Sequence, residues 1–203
     1  MRRASELASV KRAIVRIDPA FASPIKNLEP CTFGLKNPRM TQYQSLIRAV
    51  IAQQVSTKAA RTISGRLETK CDGSITPTKV GKLSTKQLQS IGLPGAKVRT
   101  ISELTHATLS GKVSFRKFAY ISDEEIVQEL ISLFGIGRWT VEMFLIFHLG
   151  RLDVWPVDDL AVRRGWDNIH ANSKPTRAKA LYLLGEPFKG MRSVVAWYCW
   201  RAS

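Results

Sequence analysis

Two adjacent carboxylates, Asp158 and Asp159, directly follow the apolar run Val154-Trp-Pro-Val157. A carboxylate held against apolar walls stabilises a developing cation, or accepts a proton from water, better than one in bulk solvent. An aspartate just before a helix is also an ordinary N-cap, and we favour that role for one of the two. The pair therefore leaves two interpretations open, a catalytic carboxylate or structural roles alone.

A turn with two glycines, Gly135-Ile-Gly137, lies upstream between two apolar helical patterns. One glycine at a helix end is ordinary, because glycine takes the left-handed conformation cheaply. The second predicts close approach of a bulky group, and the N–H groups that open the next helix are a natural seat for phosphate. The backbone carbonyls of Ile131, Leu133 and Ile136 could converge on a monovalent cation, Na⁺ or K⁺. A tight hairpin without a ligand is the alternative.

The charge of the chain favours a polyanionic partner. Its 203 residues include 31 Lys and Arg against 16 Asp and Glu, a formal net charge of +15. Four cations, Lys58, Arg61, Lys97 and Arg138, fall at predicted helix starts or loops, where they could contact phosphates. For any one of them the alternative is a solvated charge, and for the whole chain a membrane surface is a further option.

Other partners and sites have less support in the sequence. No apolar run approaches a membrane span and the N-terminus lacks an apolar signal core, so we expect an intracellular protein that does not bind membranes. Three widely separated cysteines predict no disulfide framework and no four-cysteine iron–sulfur cluster. The three histidines have no metal-ligand spacing. We therefore expect no required cofactor.

The elements that position these residues are predicted to be helices, because apolar residues recur with helical spacing along most of the chain. Capping boxes at Thr41–Gln44, Ser84–Gln87 and Ser122–Glu125 predict three helix starts. No stretch predicts paired strands, so the fold class is all-α. Helices are predicted over about 4–17, from 42, from 57, from 85, over 96–109, from 123 to the turn, over 139–147, from 158 or 159, over 176–184 and over 191–201. Residues 18–40, 71–80 and 113–120 are predicted to be irregular.

Together these blocks resemble a known family. Leu133-Phe-Gly-Ile-Gly-Arg-Trp-Thr140 and Gly150-Arg-Leu-Asp-Val-Trp-Pro-Val-Asp-Asp-Leu160 are similar to the helix-hairpin-helix-Gly/Pro-Asp (HhH-GPD) DNA glycosylases, in their 3-methyladenine DNA glycosylase II branch. Ile51-Ala-Gln-Gln-Val-Ser56, Gly92-Leu-Pro-Gly-Ala-Lys97 and the C-terminal helix from Met191 agree. The resemblance implies one two-lobed helical domain over 1–203, with lobes of about 42–150 and of about 1–40 plus 151–203. A separate N-terminal sheet domain is not expected.

The resemblance also assigns roles. It places the catalytic aspartate at Asp159, with Asp158 as the alternative or as the cap. Trp139 stands where strand-cleaving relatives carry a Schiff-base lysine, so the implied enzyme is monofunctional. Implied walls of the base pocket are Trp139, Trp155, Tyr43 and Trp197. Implied DNA-binding residues are Gln53, Gln54, Ser56, Lys97, Gly135, Gly137, Arg138 and Thr140.

The implied function is base excision from damaged double-stranded DNA by a monomer, with a downstream abasic-site (AP) endonuclease acting on the product. The enzyme would flip out 3-methyladenine or 7-methylguanine and hydrolyse the N-glycosidic bond. It would act in a nucleus or in the cytoplasm and nucleoid, according to its source. Hypoxanthine, ethenoadenine or uracil as substrate, or a non-catalytic hairpin module, remain alternatives. Phe188 and Gly190 stand where the family's Trp-x-Pro-x-Arg-Ser has tryptophan and proline, and the resemblance therefore leaves the shape of one pocket wall open.

Overall fold

The computed structural model describes residues 2–33 and 40–203. Within these residues there is no β-strand, and the predicted all-α class is confirmed. None of the described helices is both long and apolar enough to cross a membrane. The α-helices are α1 (Arg2–Ile17), α2 (Ala22–Asn27), α3 (Gln42–Ala52), α4 (Thr57–Lys70), α5 (Pro77–Val80), α6 (Thr85–Ser90), α7 (Gly95–Leu109), α8 (Asp123–Ile131), α9 (Arg138–Phe147), α10 (Leu160–Ile169), α11 (Ala178–Leu184) and α12 (Arg192–Ala202).

The predicted capping boxes start three of these helices. In α3, α6 and α8 the N-cap hydroxyl accepts a hydrogen bond from the backbone N–H three residues on, and that residue's side chain reaches back to the cap. Each box satisfies two donors that the first helical turn leaves over. Short-range sequence chemistry therefore sets these boundaries.

All three segments predicted to be irregular contain short helices, and in 113–120 this is a 3₁₀ helix at Phe115–Ala119. In the described part of 18–40, a 3₁₀ turn at Pro19–Phe21 leads into α2; residues 34–39 of that stretch lie outside the described residues. In 71–80, Thr76 caps α5, with Pro77 at its first position. Each of these helices is shorter than two turns. It is therefore too short to show a helical repeat of apolar residues in the sequence. Burial of Phe21 and Val80 anchors them instead.

The chain divides into two compact units. The inserted unit, Pro38–Phe144, is continuous in sequence, whereas the terminal unit joins Met1–Asn37 to Leu145–Ser203. The predicted first lobe ends at about residue 150, whereas the inserted unit of the structure ends at Phe144. In the inserted unit α3 packs on α4 and α7, and α5 and α6 also pack on α7.

The terminal unit is built around the pair α10 and α12. Gly165 of α10 lies against the backbone of Cys199 in α12, so closely that a Cβ at Gly165 would overlap the Cys199 carbonyl. Close helix approach of this kind needs a residue with no side chain at the crossing point. α1 and α2 also pack against α12. This pair fixes the position of α10, which begins directly after Asp159.

Candidate functional site

The double-glycine turn lies in the inserted unit between α8 and α9. Gly135 has φ +75°, the left-handed conformation predicted for one of the two glycines. A Cβ at Gly135 would also overlap the Thr100 hydroxyl of α7. At Gly137, in contrast, a Cβ would meet nothing within 4 Å. The protein's own packing therefore requires Gly135, while the open space at Gly137 suits close approach of a ligand's backbone.

Helix α7 holds the incoming side of this turn. Glu103 Oε1 accepts a hydrogen bond of 3.1 Å from the backbone N–H of Phe134. The guanidinium of Arg99 lies 3.9 Å above the centre of the Phe134 ring, in the range of a cation–π contact. Sequence reasoning missed Arg99, Thr100 and Glu103 as supports of the turn, because only the fold brings α7 to it.

Gln53 holds the other side of the turn. Its Nε2 donates to the Gly135 carbonyl at 3.1 Å and to Thr140 Oγ1 at 3.0 Å. Lys97 Nζ in turn donates to the carbonyls of Ile51 and Gln53 at 2.7 and 2.6 Å. Burial lowers the pKa of the Lys97 ammonium. A continuous set of hydrogen bonds therefore links the end of α3 to the glycine turn.

These contacts refine the roles predicted for this loop. The side chains of Gln53, Lys97 and Thr140 bind within the protein, so their expected contact with DNA stays a prediction, and Thr140 is only 3% exposed. Gln54 is exposed and has φ +54°, a strained value for a residue other than glycine. Its exposure fits the DNA-binding role that the resemblance implies. Ser56 is the N-cap of α4, and its contact with DNA stays a prediction.

The predicted monovalent-cation site also stays a prediction. Of its three carbonyls, that of Leu133 accepts a hydrogen bond of 3.3 Å from the Ile136 N–H. Across residues 2–33 and 40–203, no three His, Cys, Asp or Glu side chains are grouped as metal ligands.

Arg138 opens α9 directly after the turn. Its guanidinium makes a two-point contact with Glu124, with nitrogen–oxygen distances of 3.1 and 2.7 Å. The hydrogen bond from Arg138 is the main cause of a lowered pKa at the Glu124 carboxyl. Both side chains are substantially exposed, so the pair is open to competition from phosphate.

Replacement of Arg138 by alanine should weaken DNA binding equally on all sequences. The slope of log Kd against log salt should fall by about one, because one phosphate contact releases about one counterion. Titration of labelled duplexes at several salt concentrations measures the slope. The matched variant Glu124→Gln removes the competing carboxylate and should strengthen binding. Unchanged slopes in both variants would remove Arg138 from the DNA contacts.

Asp159 is the N-cap of α10 in the terminal unit. Its Oδ1 accepts hydrogen bonds from the N–H groups of Ala161 at 2.8 Å and Val162 at 3.0 Å. Of the two aspartates, Asp159 is therefore the cap, and Asp158 is an exposed neighbour. The cap and the predicted catalytic role fall on the same residue, and the catalytic role stays a prediction.

The segment that leads to Asp159 is tied to the start of α12. Ser193 donates its N–H to the Leu152 carbonyl and accepts the Val154 N–H on Oγ, both at 2.9 Å. Arg192 makes a two-point ion pair with Asp153, at 2.6 and 2.9 Å. Arg192 and Ser193 are the first two residues of α12, and their contacts hold residues 152–154 in place.

The predicted pocket walls are mostly buried. Trp139 is 44% exposed, whereas Tyr43, Trp155 and Trp197 are 3%, 7% and 8% exposed. Tyr43 pairs with the Thr105 hydroxyl at 2.7 Å, and the indole N–H groups of Trp155 and Trp197 donate at 2.9 Å to backbone carbonyls. Trp139 is thus the most exposed of the four wall candidates. The other three side chains are anchored in the core by these hydrogen bonds, and for all four contact with a base stays a prediction.

Phe188, at the position of the family's tryptophan, is a buried residue of the terminal unit. Its ring is 2% exposed and packs against Phe21 and Trp166, with centroid distances of 5.8 and 6.2 Å. The departure from tryptophan therefore falls in the core of the terminal unit.

Comparison with known proteins decides the family. The family model described as HhH-GPD superfamily base excision DNA repair protein matches residues 47–189. The chain belongs to this superfamily. The HhH-GPD match spans both the glycine turn and Asp159, the two features that the site geometry singles out.

Relatives and solved structures agree with the assignment. The HhH-GPD chain is 36% identical over 167 residues to DNA-3-methyladenine glycosylase 1 of Schizosaccharomyces pombe, covering 79% of this chain and 72% of that protein. It is 29% identical to the alkylbase DNA glycosidase-like protein mag2 of the same yeast, covering 99% and 96%. The solved S. pombe 3-methyladenine DNA glycosylase Mag1 in complex with abasic DNA matches with a TM-score of 0.82 and 31% identity, over 95% of both chains. A DNA-3-methyladenine glycosidase from Bacillus halodurans matches with a TM-score of 0.84 and 29% identity, over 94% and 87%.

Proposed function

We propose that this HhH-GPD protein is a monofunctional DNA glycosylase that releases alkylated purines of the 3-methyladenine and 7-methylguanine type. The observation that carries the proposal is the carboxylate of Asp159, fixed as the cap of α10 directly after Trp155-Pro156-Val157. The relatives named above as 3-methyladenine glycosylases support the substrate class. The solved complex of Mag1 with abasic DNA supports DNA as partner.

The proposed reaction needs one carboxylate. A 3- or 7-alkylated purine carries positive charge, so the C1′–N bond breaks with its electron pair leaving on the base. The sugar becomes oxocarbenium-like, and Asp159 stabilises that charge and accepts a proton from the attacking water. The water oxygen bonds to C1′, leaving an abasic site and a free base. The exposed ring of Trp139 supplies a stacking face for the cationic base.

The finer parts of the proposal concern what the enzyme does not need. Trp139 offers no amine for a Schiff base, which supports base release without strand cleavage. We further propose a monomer that needs no cofactor, whose abasic product passes to an AP endonuclease. It would work in a nucleus or nucleoid, wherever its source keeps DNA.

Abasic-site formation tests the proposal. The protein is incubated with duplexes that each carry one lesion: 3-methyladenine, 7-methylguanine, hypoxanthine, ethenoadenine or uracil. Alkali then cleaves every abasic site, and omission of alkali reveals lyase activity. We expect cleavage only after alkali and mainly for the alkylated purines. Release of another base would replace the substrate class. Binding without release from any duplex would favour a non-catalytic hairpin module.

A further inference from the structure

An open cavity of about 410 Å³ lies in the terminal unit, against α10, the helix that begins directly after Asp159. One wall is α10 itself and the other is the segment 172–176. Its polar and charged lining consists of Arg163, Arg164, Asp167, Asn168, Asn172, Ser173, Lys174 and Thr176. Neither the glycine turn nor the predicted base pocket uses any of these residues.

The lone carboxylate of this lining is already engaged. Asp167 accepts hydrogen bonds from the Thr176 N–H at 3.0 Å, from the Thr176 hydroxyl, and from Asn172 Nδ2 at 3.0 Å. Burial raises the pKa of the Asp167 carboxyl, but the hydrogen bonds from Thr176 and Asn172 outweigh it and lower the pKa. Asp167 thus holds the 172–176 segment in place and is not directed at the cations.

The three cations of the lining are not neutralised. In the part of the chain that the structure describes, the side chains of Arg163, Arg164 and Lys174 make no hydrogen bond and no ion pair. Nε of Arg163 is fully buried and has no hydrogen-bond partner. A buried N–H donor without a partner is costly, and it marks Arg163 as a side chain whose hydrogen bonds the protein itself does not supply. An anion in the cavity would pair with the charges of Arg163, Arg164 and Lys174.

We propose that this cavity is a subsite for a backbone phosphate of DNA, close to the nucleotide that reacts at Asp159. Arg163 lies one helical turn after Asp159, or roughly 6 Å along the axis of α10. That length matches about two base steps at roughly 3.4 Å each along one strand. A strand whose sugar lies at Asp159 therefore has a phosphate within reach of the cavity. The proposal rests on the proposed function for its register on the DNA.

Salt-dependent binding tests the subsite. Arg163→Gln and the double variant Arg164→Gln/Lys174→Gln are titrated, as the full chain, against an undamaged duplex of about 20 base pairs. We expect each to lower the slope of log Kd against log salt by about one, and the double variant to weaken binding roughly tenfold at moderate salt. Single-turnover release of methylated bases at saturating enzyme should change less than about twofold, since the cavity does not touch the reacting atoms.

A matched control uses other exposed lysines of the same unit. Lys179→Gln/Lys189→Gln removes two charges outside the cavity lining and should keep the wild-type slope. Cavity variants that also keep the slope would overturn the subsite, even if the wild type releases methylated bases. A slope that falls in a protein without base release would overturn the proposed function and leave the subsite. The same variants are also titrated against poly-glutamate. If they lose poly-glutamate binding but keep the wild-type slope of log Kd against log salt for DNA, the cavity would be assigned to an acidic protein segment instead.

Discussion

Replacement of Asp159 by asparagine should reduce base release by about 10³-fold or more while DNA binding changes little. Asparagine keeps the oxygen that accepts the N–H groups of Ala161 and Val162, and it is as good an N-cap as aspartate. Only the negative charge is lost. Loss of a single preorganised electrostatic contact to a transition state typically costs about 10² to 10³ in rate, and in the proposed reaction the same group also activates the water. Single-turnover release of 3-methyladenine measures the effect.

Two further variants separate the cap from the charge. Asp159→Ala should abolish release and also lower the free energy of unfolding by about 1 kcal/mol, because the α10 cap is gone. Asp158→Asn should leave both release and stability near wild type, since Asp158 is exposed and does not cap α10. Wild-type release by Asp159→Asn, or loss of release in Asp158→Asn, would reassign the catalytic carboxylate.

Gly165→Ala should be among the most destabilising single-methyl additions in the chain. Its Cβ would overlap the carbonyl of Cys199, a backbone group that cannot rotate away. The helices α10 and α12 would have to separate, which places the cost at about 3 kcal/mol or more. Because Asp159 caps α10, base release should also fall. Urea unfolding measures the stability, and release is assayed on the fraction that remains folded.

The same substitution at Gly65 is the matched control. Gly65 lies within α4, and a Cβ there would meet nothing within 4 Å. Alanine is the better helix former by about 1 kcal/mol, so Gly65→Ala should stabilise the protein. If Gly165→Ala lowers the free energy of unfolding and Gly65→Ala raises it, close helix packing rather than glycine content governs stability. A neutral Gly165→Ala would contradict the close approach of α10 and α12.

Much of the fold could be predicted from short-range sequence chemistry. The capping boxes at Thr41, Ser84 and Ser122 act over three residues, so the sequence itself contains both partners. Short helices such as α2 and α5 escaped prediction because burial of single residues, rather than a helical period, stabilises them. Burial depends on the whole fold and leaves no local pattern.

The candidate site divides in the same way. Gly135, Gly137 and Asp159 stood out because their types and spacing are unusual. The roles of Gln53 and Lys97 could not be predicted, since Gln53 reaches partners 82 and 87 residues away. A side chain that binds backbone carbonyls within the protein looks, in sequence, the same as one that contacts DNA. Burial of Trp155 and Trp197 was similarly invisible, because aromatic residues suit both a core and a pocket.

The interrupted sequence of the terminal unit sets an order for synthesis on the ribosome. The inserted unit has all its residues once Phe144 has been made, and continuous units generally fold as they emerge. The unit that contains Asp159 must wait for α12, on which α10 packs and to which Ser193 and Arg192 tie residues 152–154. The nascent chain is therefore expected to complete its glycine turn first and the position of Asp159 last. A chain that ends before α12 would contain the inserted unit but would lack the packing that holds Asp159 in place.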